Sequence, residues 1–470
     1  MKNLFESRRA LTKMKAIIIT AIIIVACIAA VATYFVTLPS PSSEKTTVTL
    51  CTWGDWMLTG LVKDGVKQPL LVEFENETGI TVNFVFAAED AVRTKIWLDV
   101  TSHTGAYDIL GMDNYAVAQL AVGDFVEPLE PYVQNKPYAK YFQGFNDFYT
   151  STLDANTYEG KLYALPTYTF GAGYTYRADL FAKYNVTVPT TFAELEAACA
   201  KLAAGFAADG LDIAPITMRG VKGEEPTIET TGITWAYGAS WFNGNARTVN
   251  EINSTKAMPM FNSTEFVAGY EEYGKLGRNW GPAGLSDYSW YECAVDLAEG
   301  RTASFLGFSA MYWFVKSTTQ LPLTNFKIAL APMGPVRRMD TFWTFSYFLN
   351  KDSQNKDAAW KVLQLIASKQ GMTEMAKTNL INTLPLKSLM EGEDIKNWTK
   401  TPDDDMATII ESFNVSSILY APMIPEYKDL CYMLGTAASQ ILAGENTAQG
   451  ALSLVEEMAI KTMKDAGYYK

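Results

Sequence analysis

An open α/β architecture in two lobes is what this chain predicts, and three observations predict it. Strand-like and helix-like stretches alternate over residues 46–112, a pattern that calls for parallel strands joined by crossover helices. At 470 residues the chain exceeds the size at which one hydrophobic core keeps growing, so two lobes are expected. Hydrophobic residues make up 48% of it, enough to fill both.

Thr46–Thr52 alternates, is rich in β-formers and reads as the first strand; Val62–Thr78 shows helical spacing and stops at Gly79. Thr81–Ala87 is a second strand, Ala91–Ser102 a helix and Tyr107–Met112 a third strand. An open sheet of this kind places its ligand crevice at the carboxyl ends of the strands. Beyond Leu162 the pattern resumes. Gly171–Arg177, Ala214–Met218, Thr302–Leu306, Lys327–Ala331 and Trp343–Leu349 read as strands. Phe192–Ala208, capped by Thr190 or Thr191, reads as a helix, as do Thr264–Leu276, Tyr291–Gly300, Lys356–Ala367, Leu430–Leu442 and Thr447–Lys464.

The N-terminus carries a topological signal. Residues 16–36 hold no charge, and 21 residues at about 1.5 Å each reach roughly 31 Å, the depth of a hydrocarbon core. Lys2, Arg8, Arg9, Lys13 and Lys15 precede it against Glu6 alone, which sets residues 1–15 in the cytoplasm and the remaining mass outside. Three cleavage readings compete with a retained anchor: a small-residue site at Ala30-Val31-Ala32, a lipoprotein-like Ile24-Val25-Ala26-Cys27, and a pilin-like site at Arg9-Ala10-Leu11 that would keep the apolar segment. The retained anchor is preferred. Residues 37–47, with the polar run Pro39–Thr47, form an extended linker. Asn76, Asn185, Asn253, Asn262, Asn397 and Asn414 each begin an Asn-x-Ser/Thr acceptor, in keeping with an extracellular face.

Composition excludes some partners. A net charge of -12 argues against nucleic acid, which demands clustered Lys and Arg, and is compatible with an uncharged small molecule. Aromatic residues reach 13% and charged ones only 19%, so rings are expected to serve on exposed surfaces. Cys51, Cys199, Cys293 and Cys431 leave two disulfides or four buried thiols equally open, and no spacing suggests a metal.

Several stretches, in order along the chain, resemble blocks of the extracellular solute-binding proteins of ABC importers, in the family that includes sugar and maltose binders. They are FENETGITV (74–82), YDIL (107–110), FVEPLEPYV (125–133), YEGKLYALP (158–166), YRADLF (176–181), PTTFAEL (189–195), LAEGRTASFLG (297–307), ALAPMGP (329–335), KDSQNKDAAWKVLQLIAS (351–368), APMIPEYKDL (421–430) and ILAGENTAQGAL (441–452). The resemblance covers nearly everything from residue 46 onward. It implies a two-lobed periplasmic-binding-protein-like fold with hinge crossings: 48–166 and 338–388 in one lobe, 167–337 and 389–470 in the other. Leu162–Tyr176 would be the first crossing, with Pro166 fixing the backbone and Gly171 and Gly173 permitting sharp turns. It further implies no cofactor, a small-molecule ligand, membrane permease subunits as partners and a site at the cell exterior.

Sugars present C–H faces and a rim of hydroxyls, so their sites need flat rings beside carboxylates, amides and Arg. Trp53, Asp55 and Trp56 after the first strand offer that chemistry in four residues. Glu89 and Asp90 after the second strand, and Asp113 and Asn114 after the third, stand where such sheets hold ligands, with helix capping as the competing role. Tyr168 and Phe170 at the crossing, Arg219, Trp235, Trp241 and Trp280 in the second lobe, Phe308 and Trp313 after a later strand, and Trp343 at the return crossing complete the candidates, with core packing as their competing role. A binder of a polyol phosphate, a polyamine or a metal ion would share the fold, and a secreted carbohydrate-active enzyme would share the rings. The enzymatic reading finds no motif: His103 stands alone in a polar run, and Gly171-Ala172-Gly173 lacks the third glycine of a dinucleotide loop.

Overall fold

The computed structural model describes residues 46–54, 58–135, 140–142, 144–378 and 383–469. The apolar segment 16–36, most of the linker, and Asp55 and Trp56 lie outside them. Among the described residues no helix is long and apolar enough to cross a membrane.

Thr47–Lys470 forms one compact unit built on a seven-stranded sheet. β1 (Thr47–Trp53) pairs in parallel with β4 (Thr81–Ala87) and β5 (Ile109–Asp113), as the alternating pattern predicts. Between them the helix Glu89–Ser102 is the crossover. The helix predicted over Val62–Thr78 is instead a two-strand hairpin, β2 (Val62–Lys63) and β3 (Val66–Lys67), followed by a helix from Pro69 to Thr78. Asp64 and Gly65 both take positive φ, the geometry of a two-residue hairpin turn, and Pro69 fits the first helical turn, where its missing N–H costs nothing.

A second small hairpin, β6 (Thr157–Tyr158) with β7 (Lys161–Leu162), leads into the 14-residue strand β8 (Ala164–Arg177). Its first half pairs with β11 (Phe342–Leu349), which continues antiparallel onto β5; its second half pairs with β9 (Ser304–Phe308) on one side and β10 (Phe326–Leu330) on the other. All of these contacts are antiparallel, so the parallel pairing read from the sequence holds for the first three strands only. Nor do Gly171 and Gly173 turn the chain. They lie inside a continuous 14-residue strand, where a Cβ on Gly171 would stand 2.5 Å from the Ser412 carbonyl oxygen and one on Gly173 2.9 Å from Ser309 Cα. The glycines are there for close approach of backbone.

Two hydrophobic cores flank this sheet. The first gathers Leu50, Val82, Ile96, Leu110, Phe348 and Leu363; the second gathers Tyr174, Leu202, Ile233, Tyr270, Leu434 and Leu452. The helix Phe192–Asp209 begins with a capping box, Thr191 accepting from Glu194 N while Glu194 reaches back, as its sequence predicts. Ala214–Met218 is no strand: only isolated bridges join Ala214 to Thr302 and Thr217 to Phe305, Pro215 between them having no N–H to give. The four described cysteines are buried free thiols.

Candidate ligand-binding site

Where the strand ends of the two lobes face each other, they enclose a cavity of about 500 Å³, within the range of small-molecule sites. Its floor is a row of rings that runs from one lobe to the other. Trp53 closes β1 and leans on Trp343 of β11 at 6.1 Å; Trp343 stacks on Phe170 of β8 at 4.7 Å and 14°; Phe170 meets Phe308 of β9 at 5.4 Å. Each ring comes from a different paired strand and packs tilted or stacked against the next. The Trp53 indole N–H is buried with no acceptor among the described residues, which leaves one donor for a bound hydroxyl.

A guanidinium sits at each end of this row. Arg93 lies over Trp53 at 5.5 Å, and Arg219 over Phe308 at 4.9 Å. Arg219 is 3% exposed and its Nε and Nη2 take both oxygens of Glu229, itself 0% exposed, at 2.8–2.9 Å. Burial pushes the Glu229 carboxyl up, to about 7, despite Arg219; burial likewise disfavours charge on Arg219, but Glu229 outweighs that and holds it above its ordinary range. Three short donor contacts favour the charged pair. Nη1 lies outside that fork.

At the other end, Arg93 donates to Asp113 Oδ2 at 2.7 Å and to Glu89 at 2.6 Å. Lys428 pairs with Glu224 at 2.9 Å and reaches Asp113 at 3.5 Å. Burial alone would raise the Asp113 carboxyl, but Lys428 and Arg93 outweigh it and hold it below the usual range. Asp113 takes the capping role foreseen for it, since Oδ1 accepts from Tyr115 N and caps the turn after β5, and its side chain also lines the cavity. Tyr427, leaning on Tyr115 at 4.8 Å, and Trp290 complete the walls with Ile228 and Met311.

Of the predicted site residues, Trp53, Asp90, Asp113, Phe170, Arg219, Phe308 and Trp343 line this cavity, and Glu89 lines it too. Glu89 and Asp90 fall in the first helical turn, the cap itself being Ala88. Others stand elsewhere. Asn114 accepts from Thr344 N at 2.8 Å and so ties β5 to β11; Tyr168 is 1% exposed in the first core. Trp241 packs in the second core against Tyr427 at 5.2 Å, Trp280 lies against the same core, and Trp235 lies under the Arg337 guanidinium at 3.9 Å. Trp313 donates to Thr401 at 2.7 Å, its helix turning it away from the Phe308 side. Ring content drew attention to the aromatic ones among these, and Asn114 was marked by its place after a strand; Trp241, Trp280 and Trp313 pack into or against the hydrophobic cores, and Tyr168 is buried on β8. Sequence reasoning missed Tyr115, Glu224, Glu225, Trp290, Tyr427 and Lys428. Tyr427 and Lys428 lay inside a block already noticed, and their placement depends on a helix start that periodicity alone set three residues late. His103 caps the helix Glu89–Ser102 at φ 54 and meets Asp352 at 2.9 Å on the surface.

Comparison with known proteins adds the following. The family described as bacterial extracellular solute-binding protein matches residues 59–373. The mannitol-binding protein of Pseudomonas aeruginosa is 23% identical over 414 residues, 84% of this chain and 89% of its own length. Among solved structures, an ABC transporter solute-binding protein of Agrobacterium radiobacter in complex with ribitol superposes with a TM-score of 0.75 at 22% identity, covering 89% of this chain and 98% of its own. One from Agrobacterium vitis with bound D-mannitol gives 0.73 at 23%, covering 90% and 100%.

Proposed function

Because this chain belongs to the bacterial extracellular solute-binding protein family, we propose that it is the substrate-binding subunit of an ABC importer, which captures a small neutral polyol or sugar between its lobes and hands it to a membrane permease. One observation carries the choice of a neutral ligand: every cation at the cavity already has an anion. Arg219 is taken by Glu229, Arg93 by Asp113 and Glu89, and Lys428 by Glu224 and Asp113. A phosphorylated ligand would need a free cation, and a polyamine would find Asp113, Glu224 and Glu229 held by cations at 2.7–2.9 Å, with Asp90 and Glu225 as the carboxylates outside those pairs. The ring row and the unpaired Trp53 N–H suit C–H faces and hydroxyls instead. Relatives named for mannitol and ribitol point the same way.

Trp53, Asp90, Asp113, Phe170, Arg219, Phe308 and Trp343 are assigned to the ligand. β8 and β11 are assigned as hinge crossings between residues 48–166 with 338–388 and residues 167–337 with 389–470. Residues 16–36 would anchor the protein on the outer face, and Asn76, Asn185, Asn253, Asn397 and Asn414 are exposed there for glycosylation. Binding works by closure, since only the closed form touches the ligand from both lobes.

Thermal unfolding of the protein with mannitol, ribitol, sorbitol, glucose, a polyamine and a polyol phosphate tests this. A ligand at 100 times its Kd adds about 2.7 kcal/mol. Stabilisation by a neutral alcohol or sugar recovered intact is the expected result; a response confined to the charged compounds, or recovery of altered sugar, overturns it.

A further inference from the structure

Beyond the cavity, on the other side of the charged end of the ring row, lies a second hollow of about 600 Å³. It is lined by Thr94, Trp97, Met112 and Gln119, and it shares Glu224 and Lys428 with the cavity itself. Arg93, Glu224 and Lys428 line the hollow and Asp113, Glu224 and Lys428 line the cavity, so these four charged side chains stand where the two spaces adjoin. These four alternate in sign. Each lobe pairs its own charges tightly, Arg93 with Asp113 at 2.7 Å and Lys428 with Glu224 at 2.9 Å, whereas the contacts from lobe to lobe are longer, 3.5 Å for Lys428 to Asp113 and 3.7 Å for Arg93 to Glu224. The partition is therefore made by the closing of the lobes and not by either lobe alone.

The outer hollow has the chemistry of a sugar site in its own right. Trp97 presents a half-buried ring, held edge-on by Phe125 at 6.3 Å, beside the hydroxyl of Thr94 and the amide of Gln119. A ring lying on Trp97 and joined to a ligand in the inner cavity would have to pass through the four charges. A neutral chain threaded there would part both lobe-to-lobe contacts and strip water from the charges without replacing their partners, which is how a site rejects a ligand it could otherwise hold.

We infer that the Arg93–Asp113–Lys428–Glu224 partition sets ligand length: it confines the protein to a single polyol or sugar unit and shuts off a second subsite on Trp97. The inference rests on the proposed function of the inner cavity. Its test compares sorbitol with maltitol, the same alcohol carrying one glucose, and mannitol with its glucosylated form, by calorimetry on the wild type, on Glu224→Gln, on Lys428→Met and on the Lys428→Met/Glu224→Gln double variant. The wild type should bind the short alcohols and reject the glucosylated ones. In the double variant the ratio of long to short affinity should rise about tenfold, the change that one stacked ring of about 1.4 kcal/mol gives. Adding Trp97→Ala should abolish that gain, which a mere loosening of the lobes would not predict. The single variants and the wild type at raised salt report the same ratio should the double variant fold poorly. Wild-type binding of both lengths alike, or short-alcohol binding with no change of ratio in any variant, overturns the inference alone. Binding of none of these alcohols or their glucosides overturns this inference, and the proposed function falls with it when ribitol and glucose also fail to bind.

Discussion

The two ends of the ring row answer the same demand in opposite ways. At the Phe308 end one arginine and one glutamate are sealed together, 3% and 0% exposed, and every bond between them lies within the second lobe. At the Trp53 end four charges form a ring of contacts in which Arg93, Lys428 and Glu224 keep 16%, 25% and 38% of their side chains exposed, and the two longer contacts run between the proposed lobes. A buried pair has no alternative partner, so it fixes a geometry; a half-wet network can exchange its partners for water, so it can open. The proposed site thus has one end whose ion pair is sealed and another whose contacts can exchange with water.

Breaking the sealed end should have the largest effect. Arg219→Met leaves Glu229 buried without a counter-charge, and removing one partner of such a pair costs about 3–5 kcal/mol, readable by denaturant unfolding. The deficit should also depend on pH. Without Arg219 the Glu229 carboxyl is raised by burial, so the folded state holds its proton more tightly than the unfolded chain. The stability this gives is present at low pH and lost as pH rises through the folded value, so the deficit should be larger at pH 8 than at pH 5. Replacing both as Arg219→Met with Glu229→Leu should restore much of the loss. A single variant as stable as the wild type would mean the end is not sealed.

The open end comes next. Asp113→Asn keeps the cap on Tyr115 N but removes the charge that Arg93 and Lys428 share, and each still has a second carboxylate. A cost of about 2 kcal/mol is expected, that of one hydrogen bond to a charged group. Here the sign with pH is reversed. The folded Asp113 carboxyl lies below its unfolded value, so its contribution is complete above about pH 4 and is lost as pH falls further. Comparison of acid unfolding should show the wild type losing more stability below pH 5 than Asp113→Asn; parallel curves would remove Asp113 from the network.

The same contrast explains what could be read from the chain. The ring row was legible because strand ends declare themselves: Trp53 follows an alternating run, Phe170 stands just before a stretch recognisable as a strand, Phe308 just after one and Trp343 in one. Arg219 was found in the same way, next to a stretch read as a strand, although that stretch makes only isolated bridges. The partners of the cations were not legible. Glu229 is ten residues from Arg219 on a helix with no charge pattern to mark it, and Lys428 is 315 residues from Asp113. The misassigned tryptophans show the converse: a ring on a helix is drawn into whichever core that helix covers, and sequence marks the ring without marking the face. Gly171 and Gly173 were noticed for the right residue type and the wrong reason, since the need was for room beside Ser412 and Ser309 and not for a turn.

The smallest effect belongs to Lys428, and it sharpens the comparison most. With a quarter of its side chain exposed and one of its two contacts at 3.5 Å, it should contribute less than about 1 kcal/mol, so Lys428→Met is expected to unfold within that margin of the wild type. Salt should tell the ends apart where this variant barely does. Raising ionic strength toward 1 M shortens the screening length to about 3 Å, less than the lobe-to-lobe separations of 3.5 and 3.7 Å, while the buried Arg219–Glu229 fork, 3% and 0% exposed, is screened far less. The difference in stability between wild type and Lys428→Met should therefore shrink toward zero with salt, whereas the difference between wild type and Arg219→Met should not move. If both differences fell together, the two ends would be equally wet and the distinction between a fixed end and a yielding one would be lost.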